Sequence, residues 1–392
     1  MDRARIHEGI RRMRFFDVLG RTERSELSQI EAAEVLGISE RTFRRWRDRH
    51  RDEGPCGLSD RRLEPSPRRA PAAEIERMLG LYRDLYRGFT VKHFHEHLGR
   101  RHGYTLGYTV TKLHLHRAGL VTPARCRSAH RKKRPRRPMV GMMLHQDAST
   151  HAWLPGDASK HDLVVTMDDA TSAIYSAFLV AQEGTASSLR GVREVVAAHG
   201  LFCSLYTDRG SHYFETPAAG ARVSKTVLTQ FGRALKQLGI EHIAAYSPQA
   251  RGRSERVFST LQDRLPKELA LARIGTVVAA NAWLRDVYIP EHNKRFAIGA
   301  EQTGSAFAID KDGVWREILC VQEERRVGND NTVKWRRSIL QLPPSRLRPH
   351  FVKTTVRVHE YPDGRLAVFW GPHRLADYEP HGALIEPERQ AA

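Results

Sequence analysis

Between Pro123 and Pro138 the chain reads "PARCRSAHRKKRPRRP", with eight Lys or Arg, three prolines and no acid. Such a stretch has too little apolar surface to bury and too much charge of one sign to pack on itself. It is expected to be an extended linker, residues 123–138, and it rules out one continuous core. A chain of 392 residues suggests two to four domains, and 40% hydrophobic residues are enough to fold them. The hydrophobic pattern differs on the two sides of the linker, helical before it and strand-like after it.

On the N-terminal side, residues 27–51, "LSQIEAAEVLGISERTFRRWRDRHR", predict two short helices joined by a turn at Gly37. Ser39 is a natural N-cap for the second, and Phe43 and Trp46 stand three apart on it. Two helices with a tight turn match a helix-turn-helix, whose second helix would carry Arg41, Arg44, Arg45 and Arg47 into the major groove, with Arg44 or Arg45 reading base edges. The plain alternative is a helical hairpin with a basic, solvated face. A Gly/Pro/Arg-rich break follows. A second helical unit is then expected from about Ala72 to Leu120, in which Thr109 or Thr111 caps a basic helix. His93 and His97, four apart, read as exposed polar positions there, since a third metal ligand is missing nearby. The expected boundaries are residues 1–60 and 70–122.

Lys and Arg total 64 against 45 acids, a formal net charge of +19, so the field of the protein attracts polyanions, nucleic acid foremost. No apolar run approaches the roughly 20 residues of a membrane span, and the N-terminus lacks an apolar signal core. The expectation is a soluble, cytoplasmic protein without a membrane partner. Four scattered cysteines without a CxxC pair argue against disulfides and against cysteine-ligated zinc.

From Met139 the periodicity changes. "MVGMMLHQDAS", "HDLVVTMDDAT" and "SAIYSAFLVAQ" predict three adjacent buried strands. A helix capped by Thr185 and closed by Gly200, a strand in "LFCSLYTDRG", a helix closed by Gly239, a strand in "IEHIAAYSP" and a helix from about Gly252 follow. This βββαβαβα order predicts a mixed α/β domain over residues 139–300. After a charged transition at 307–330, alternating runs around "YPDGR" predict a small basic β-rich domain within 307–392.

Three acids stand out in the α/β region. Asp147 is expected at the end of the first strand, Asp208 at the end of the fourth, and Glu255 one turn into the closing helix. Strand ends and an adjacent helix bring distant residues into one cleft at the carboxyl edge of a sheet. Clustered carboxylates repel one another unless a cation sits between them, and hard oxygen ligands suit Mg²⁺ or Mn²⁺. Two such ions about 4 Å apart would serve phosphodiester chemistry. Taken singly, an Asp after a strand is more often a cap or turn residue. Asp168 and Asp169 are expected to be turn residues, with Asp168 in a position to support the cleft. His212, just past Asp208, and Gln249 are placed to support the site or contact DNA near a cut. Arg251, Arg253 and Arg256 flank Glu255 as candidate phosphate contacts, since guanidinium forks match phosphate oxygens. In the linker, Arg131, Lys132, Lys133, Arg134, Arg136 and Arg137 are expected to lie along phosphates.

"HQDAS", "YTDRGSHY" and "SPQARGRSERVF" resemble the three catalytic blocks of integrase-core DDE transposases, most closely those of ISNCY-type bacterial insertion sequences. The separation of Asp208 from Glu255 is longer than the commonest short form, and the excess is assigned to a loop insertion at residues 215–226. The resemblance implies a multidomain protein: N-terminal all-α helix-turn-helix units, a central RNase H-like (retroviral integrase-like) core and a small C-terminal β domain. It implies Asp147, Asp208 and Glu255 as ligands to two Mg²⁺ or Mn²⁺ ions. Its expected partners are double-stranded DNA, as transposon ends and as target, and further copies of the chain, at least a dimer in the synapse. The implied activity is nicking to free 3′-hydroxyls and their direct transfer to target DNA, in a bacterial, nucleoid-associated setting. Two other readings remain at this stage: a catalytically silent repressor or end-binding factor of transposase descent, and a structure-specific nuclease of RNase H type.

Overall fold

A computed structural model describes residues 3–59, 69–123, 135–216, 222–224, 226–246 and 252–386. It divides into two compact units, Met1–Pro123 and Ala124–Ala392.

The first unit is helical. Helices α1 (Arg3–Glu23), α2 (Gln29–Leu36) and α3 (Glu40–Glu53) are followed by a 3₁₀ turn at Gly54–Leu58. Ser28 and Glu31 form a capping box at the start of α2, and Ser39 caps α3 by accepting from the Thr42 amide. Between them Gly37 adopts φ 68°, a left-handed conformation that glycine enters without steric cost. The local chemistry therefore fixes the helix-turn-helix. Its core is Phe15, Val18, Leu19, Ala32, Ala33 and Phe43, with the Phe15 ring 5.7 Å from those of Phe43 and Trp46.

Helices α4 (Ala72–Asp84), α5 (Val91–His102) and α6 (Tyr108–Arg117) follow. Two expectations are corrected here. His93 and His97 are buried rather than exposed, their Nε2 atoms 3.3 Å apart, with His93 stacked on Phe89. An aromatic ring lying flat on another buries apolar area that a solvated position would leave exposed. Thr109 and Thr111 lie inside α6, which begins after Gly107, and Thr111 is buried against Tyr104 and His95.

In the second unit, β1 (Leu144–His151), β2 (His161–Asp168), β3 (Ile174–Val180), β4 (Ser204–Thr207) and β5 (Glu241–Ala244) form one sheet in the order β3-β2-β1-β4-β5. The first three strands are antiparallel neighbours, while β4 is parallel to β1 and β5 to β4. This is the topology of the RNase H-like fold, with α7 (Thr185–His199) on one face and α9 (Gly252–Leu271) on the other. Helix α8 (Gln230–Gln237) precedes β5. The cap of α7 is Gly184 rather than Thr185: the Ser187 hydroxyl accepts from the Gly184 amide.

Alternation along β1 sorts its side chains. Leu144 joins the core beneath α7, whereas His145, Asp147 and Ser149 pair with Met167, Val165 and Leu163, whose side chains meet Phe258, Leu261 and Leu265 of α9. Helices α10 (Val277–Trp283) and α11 (Ile289–Phe296), joined by a π-helical turn, cover the outer strand β3. Asn281 exchanges hydrogen bonds with the Leu179 amide and carbonyl, and Asn293 with those of Ile174. Two side-chain amides thus pair backbone that an edge strand would otherwise leave open.

Helix α12 (Trp315–Ile318) leads to the C-terminal strands β6 (Val321–Arg326), β7 (Thr332–Trp335), β8 (Ser338–Gln341), β9 (Thr355–Glu360), β10 (Leu366–Trp370), β11 (His373–Tyr378) and β12 (Leu384–Ile385). They form a sheet in the order β12-β11-β10-β9-β6 and a separate β7-β8 hairpin around one apolar core. Strand β6 occupies part of the segment read as a charged transition, because Gln230 of α8 bonds the Gln322 amide and carbonyl and holds that segment against the core. The predicted layout of helical units, α/β core and C-terminal strands is the one observed. Among the described residues no helix is long and apolar enough to cross a membrane.

Candidate active site

The parallel register of β1 and β4 sets Leu144 beside Leu205 and His145 beside Tyr206. Asp147 lies two residues past His145 and Asp208 two past Tyr206, so both follow the last paired residues at the same end of the β1–β4 ladder. The rings of His145 and Tyr206 meet at 5.2 Å, so both point to the α9 face, and the residues two further on share that face. Asp147 is thus in the middle of β1 rather than at its end. It reaches the edge of the paired region because β4 stops at Thr207.

Both acids bond local backbone: Asp147 Oδ1 accepts from the Ala148 amide at 3.1 Å and Asp208 Oδ1 from the Gly210 amide at 2.9 Å. A Cβ on Gly210 would stand 3.1 Å from Asp208 Oδ1 and 2.9 Å from the His212 ring, so the absent side chain allows this close turn.

Two contacts pin α9 along β1. Near its start Arg253 reaches Asp169, which also accepts from His145, and further along Gln262 donates to Ser149 Oγ at 2.8 Å. The nine-residue rise of the helix is about 13 Å, and the four-residue step along the strand is about 13 Å as well. The helix therefore follows the strand in the same direction, which puts Glu255, in its first turn, within about one turn of the level of Asp147. Glu255 is exposed, beside the buried Ser254. The three acids share one face, but their oxygens do not all lie within 4.8 Å of one another.

Several residues fall elsewhere than expected. Asp168 pairs with Leu144, three residues from the level of Asp147, toward the opposite end of β1. It is fully buried and accepts from the Gly141 and Thr171 amides, the turn role expected of it. Arg253 is held by Asp169, with only 17% of its side chain exposed. Arg136 donates to the Asp169 and Ala170 carbonyls and to Ser172 Oγ, which docks the end of the linker on the β2–β3 turn. Burial, and next the nearby Arg253, lower the pKa of its guanidinium. Arg137 and Arg256 are exposed. His212 Nε2 lies 3.3 Å from Glu183, and the buried Tyr213 donates to Glu183 at 3.0 Å. Gln249, Arg251, Arg131, Lys132, Lys133 and Arg134 lie outside the described residues.

In the helix-turn-helix, Arg41 is exposed, Arg44 pairs with Glu40, and Arg47 bonds Asp48 at 3.0 Å. Arg45 instead lines a cavity of about 330 Å³ with Arg11, Arg12, Trp46 and Arg49.

Asp169 and His145 are the residues that reading the sequence undervalued. Asp169 is fully buried and accepts from His145 Nε2 at 2.7 Å and from the Arg137 amide at 2.7 Å, besides Arg253. Burial pushes its pKa up, but these hydrogen bonds outweigh it and hold the carboxyl well below the usual range. The signal available was position: His145 lies two residues before Asp147 and must share its face.

A homeodomain-like domain model matches residues 11–59, from within α1 to the turn after α3. The protein y4bF of Sinorhizobium fredii (strain NBRC 101917 / NGR234), named as a transposase, is 30% identical over 386 residues, 95% of this chain and 83% of its own. This chain belongs to the integrase-core transposase family. The transposase is also 28% identical over 297 residues to the transposase for insertion sequence IS1202 of Streptococcus pneumoniae, covering 67% of this chain and 63% of that one. Among solved structures, the intasome of simian T-cell lymphotropic virus in complex with PP2A regulatory subunit B56 gamma matches 74% of the transposase and 94% of its own chain at 15% identity, with a TM-score of 0.32.

Proposed function

We propose that this transposase nicks DNA at the ends of its element and transfers the freed 3′-hydroxyls to target DNA, with Asp147, Asp208 and Glu255 as its catalytic acids. One observation carries this reading: Asp147 and Asp208 each lie two residues past the last paired residues of neighbouring strands, and the helix packed on the His145 face carries Glu255 in its first turn. Three carboxylates on one face repel one another in the absence of a cation, and an all-oxygen donor set fits a hard divalent ion. Bound there, Mg²⁺ or Mn²⁺, two ions per site, would supply the Lewis acid for activating a water or 3′-hydroxyl and for stabilising the leaving oxygen.

The chain's own residues would orient and bind. The Ala148 and Gly210 amides fix the two aspartates, so their carboxylates need little reorganisation. Arg256 and Arg137, both exposed, are suited to the phosphates of the strand entering the cleft. The helix-turn-helix would read the transposon end, and two ends brought together call for at least a dimer.

The test is a labelled duplex of the element's terminal repeat incubated with the purified protein, with and without Mg²⁺. Free 3′ ends and joined products are expected only with Mg²⁺. Asp147→Asn, Asp208→Asn and Glu255→Gln should each lose them while still shifting the labelled end in a gel. A wild-type protein that binds the end and never cuts it would favour the silent, repressor-like reading.

A further inference from the structure

Asp169 gathers three separate parts of the α/β core onto one buried carboxylate. His145, from β1, lies two residues before Asp147 and bonds Asp169 at 2.7 Å. Arg253, from the first turn of α9, lies two residues before Glu255 and forms an ion pair with Asp169. The Arg137 amide, from the chain that follows the basic linker, donates at 2.7 Å, and Arg136 donates to the Asp169 carbonyl at 3.0 Å. Asp169 itself is anchored, since its amide donates to the Met143 carbonyl at 3.0 Å, just before β1.

The first turn of a helix is where anchoring matters most, because its amides lack partners within the helix and it frays first. In α9 that turn carries an exposed Glu255, and the buried apolar contacts of the helix begin only at Phe258. A guanidinium locked to a buried carboxylate supplies what the apolar contacts do not yet provide there.

We propose that Asp169 is a positioning residue, fixing the first turn of α9 against β1 and so setting Glu255 opposite Asp147 and Asp208. It acts through Arg253 and His145. This inference rests on the metal-site reading above.

Mn²⁺ binding to the full-length protein without DNA, followed by electron paramagnetic resonance of free Mn²⁺, tests it apart from catalysis. Glu255→Gln should weaken binding, and Asp169→Asn should weaken it by about tenfold, as the loss of an outer partner typically does. The double variant should bind no more weakly than Glu255→Gln alone, because both changes remove the same ligand. Arg253→Gln, which breaks the pair from its partly exposed side, should repeat the effect and decides the matter if Asp169→Asn does not fold. Wild-type affinity in both Asp169→Asn and Arg253→Gln, with Glu255→Gln weakened, would overturn the proposal. So would losses that simply add in the double variant, as a general loosening of the fold would produce. A wild-type protein that does not bind Mn²⁺, or Glu255→Gln binding it unchanged, would overturn the metal-site reading and this proposal with it.

Discussion

Moving a carboxylate such as Asp169 out of water costs several kcal/mol, a cost that is offset only while its partners hold it. Removing the charge leaves Arg253 and His145 facing a neutral group, so Asp169→Asn should lower stability at pH 7 by about 3 kcal/mol. The pH dependence has a definite sign. The folded carboxyl titrates below the unfolded one, so its contribution is present above about pH 4 and is lost as pH falls further. Denaturant titrations at pH 7 and pH 3 should show the gap between wild type and Asp169→Asn narrowing by about 1 kcal/mol at the lower pH. An unchanged gap would mean that Asp169 is not held charged. At the same scale, the arginines of α3 divide into two groups. Arg45 faces a cavity shared with Arg11, Arg12 and Arg49, an arrangement suited to a backbone phosphate. Its alanine variant should weaken binding alike on cognate and random DNA and reduce the salt slope by about 1, whereas Arg44→Ala should cost about 1–3 kcal/mol on the cognate end alone. Gel-shift titrations at several salt concentrations separate the two outcomes.

The elements that build the site are held by few, identifiable contacts. Helix α7 crosses the sheet so closely that a Cβ on Gly191 would stand 2.3 Å from Gln146 Nε2, which bonds Thr166 and the Ser188 carbonyl. In an open helix Gly→Ala stabilises by about 1 kcal/mol. Gly191→Ala should instead destabilise by about 1–3 kcal/mol, the usual cost of overpacking, and its thermal midpoint measures this. On the outer strand, Asn281→Ala or Asn293→Ala each removes two hydrogen bonds to β3 backbone and should cost about 2 kcal/mol. Most of the element order was legible in the sequence, because period-two runs from Met139, glycine helix ends and "YPDGR" are local signals. The three acids stood out as candidates because each was expected at or near an element end, although Asp147 lies in the middle of β1. Contacts that local pattern does not encode were not legible. Arg253 looked like a phosphate ligand because Asp169, its partner, is 84 residues away in sequence. Asp168 was read as a turn residue from its place at a strand end, and the antiparallel register sets it beside Leu144, three residues from the level of Asp147. His93 and His97 looked solvated because charged neighbours mask a face that stacks on Phe89.

Taken whole, the chain carries a formal net charge of +19. A basic field attracts DNA, so affinity for any duplex should fall steeply with added salt while the preference for the cognate end survives. The same charge pattern disfavours a role limited to acid–base chemistry on small molecules. What separates a working transposase from a DNA-binding relative is whether phosphodiester bonds break and rejoin. The most direct measurement is strand cleavage and joining on a labelled terminal repeat in Mg²⁺, with wild type beside Asp208→Asn at concentrations where both bind the end equally. Free 3′-hydroxyls and joined products from wild type, with none from Asp208→Asn, is the predicted result; cleavage by Asp208→Asn at the wild-type rate would contradict it.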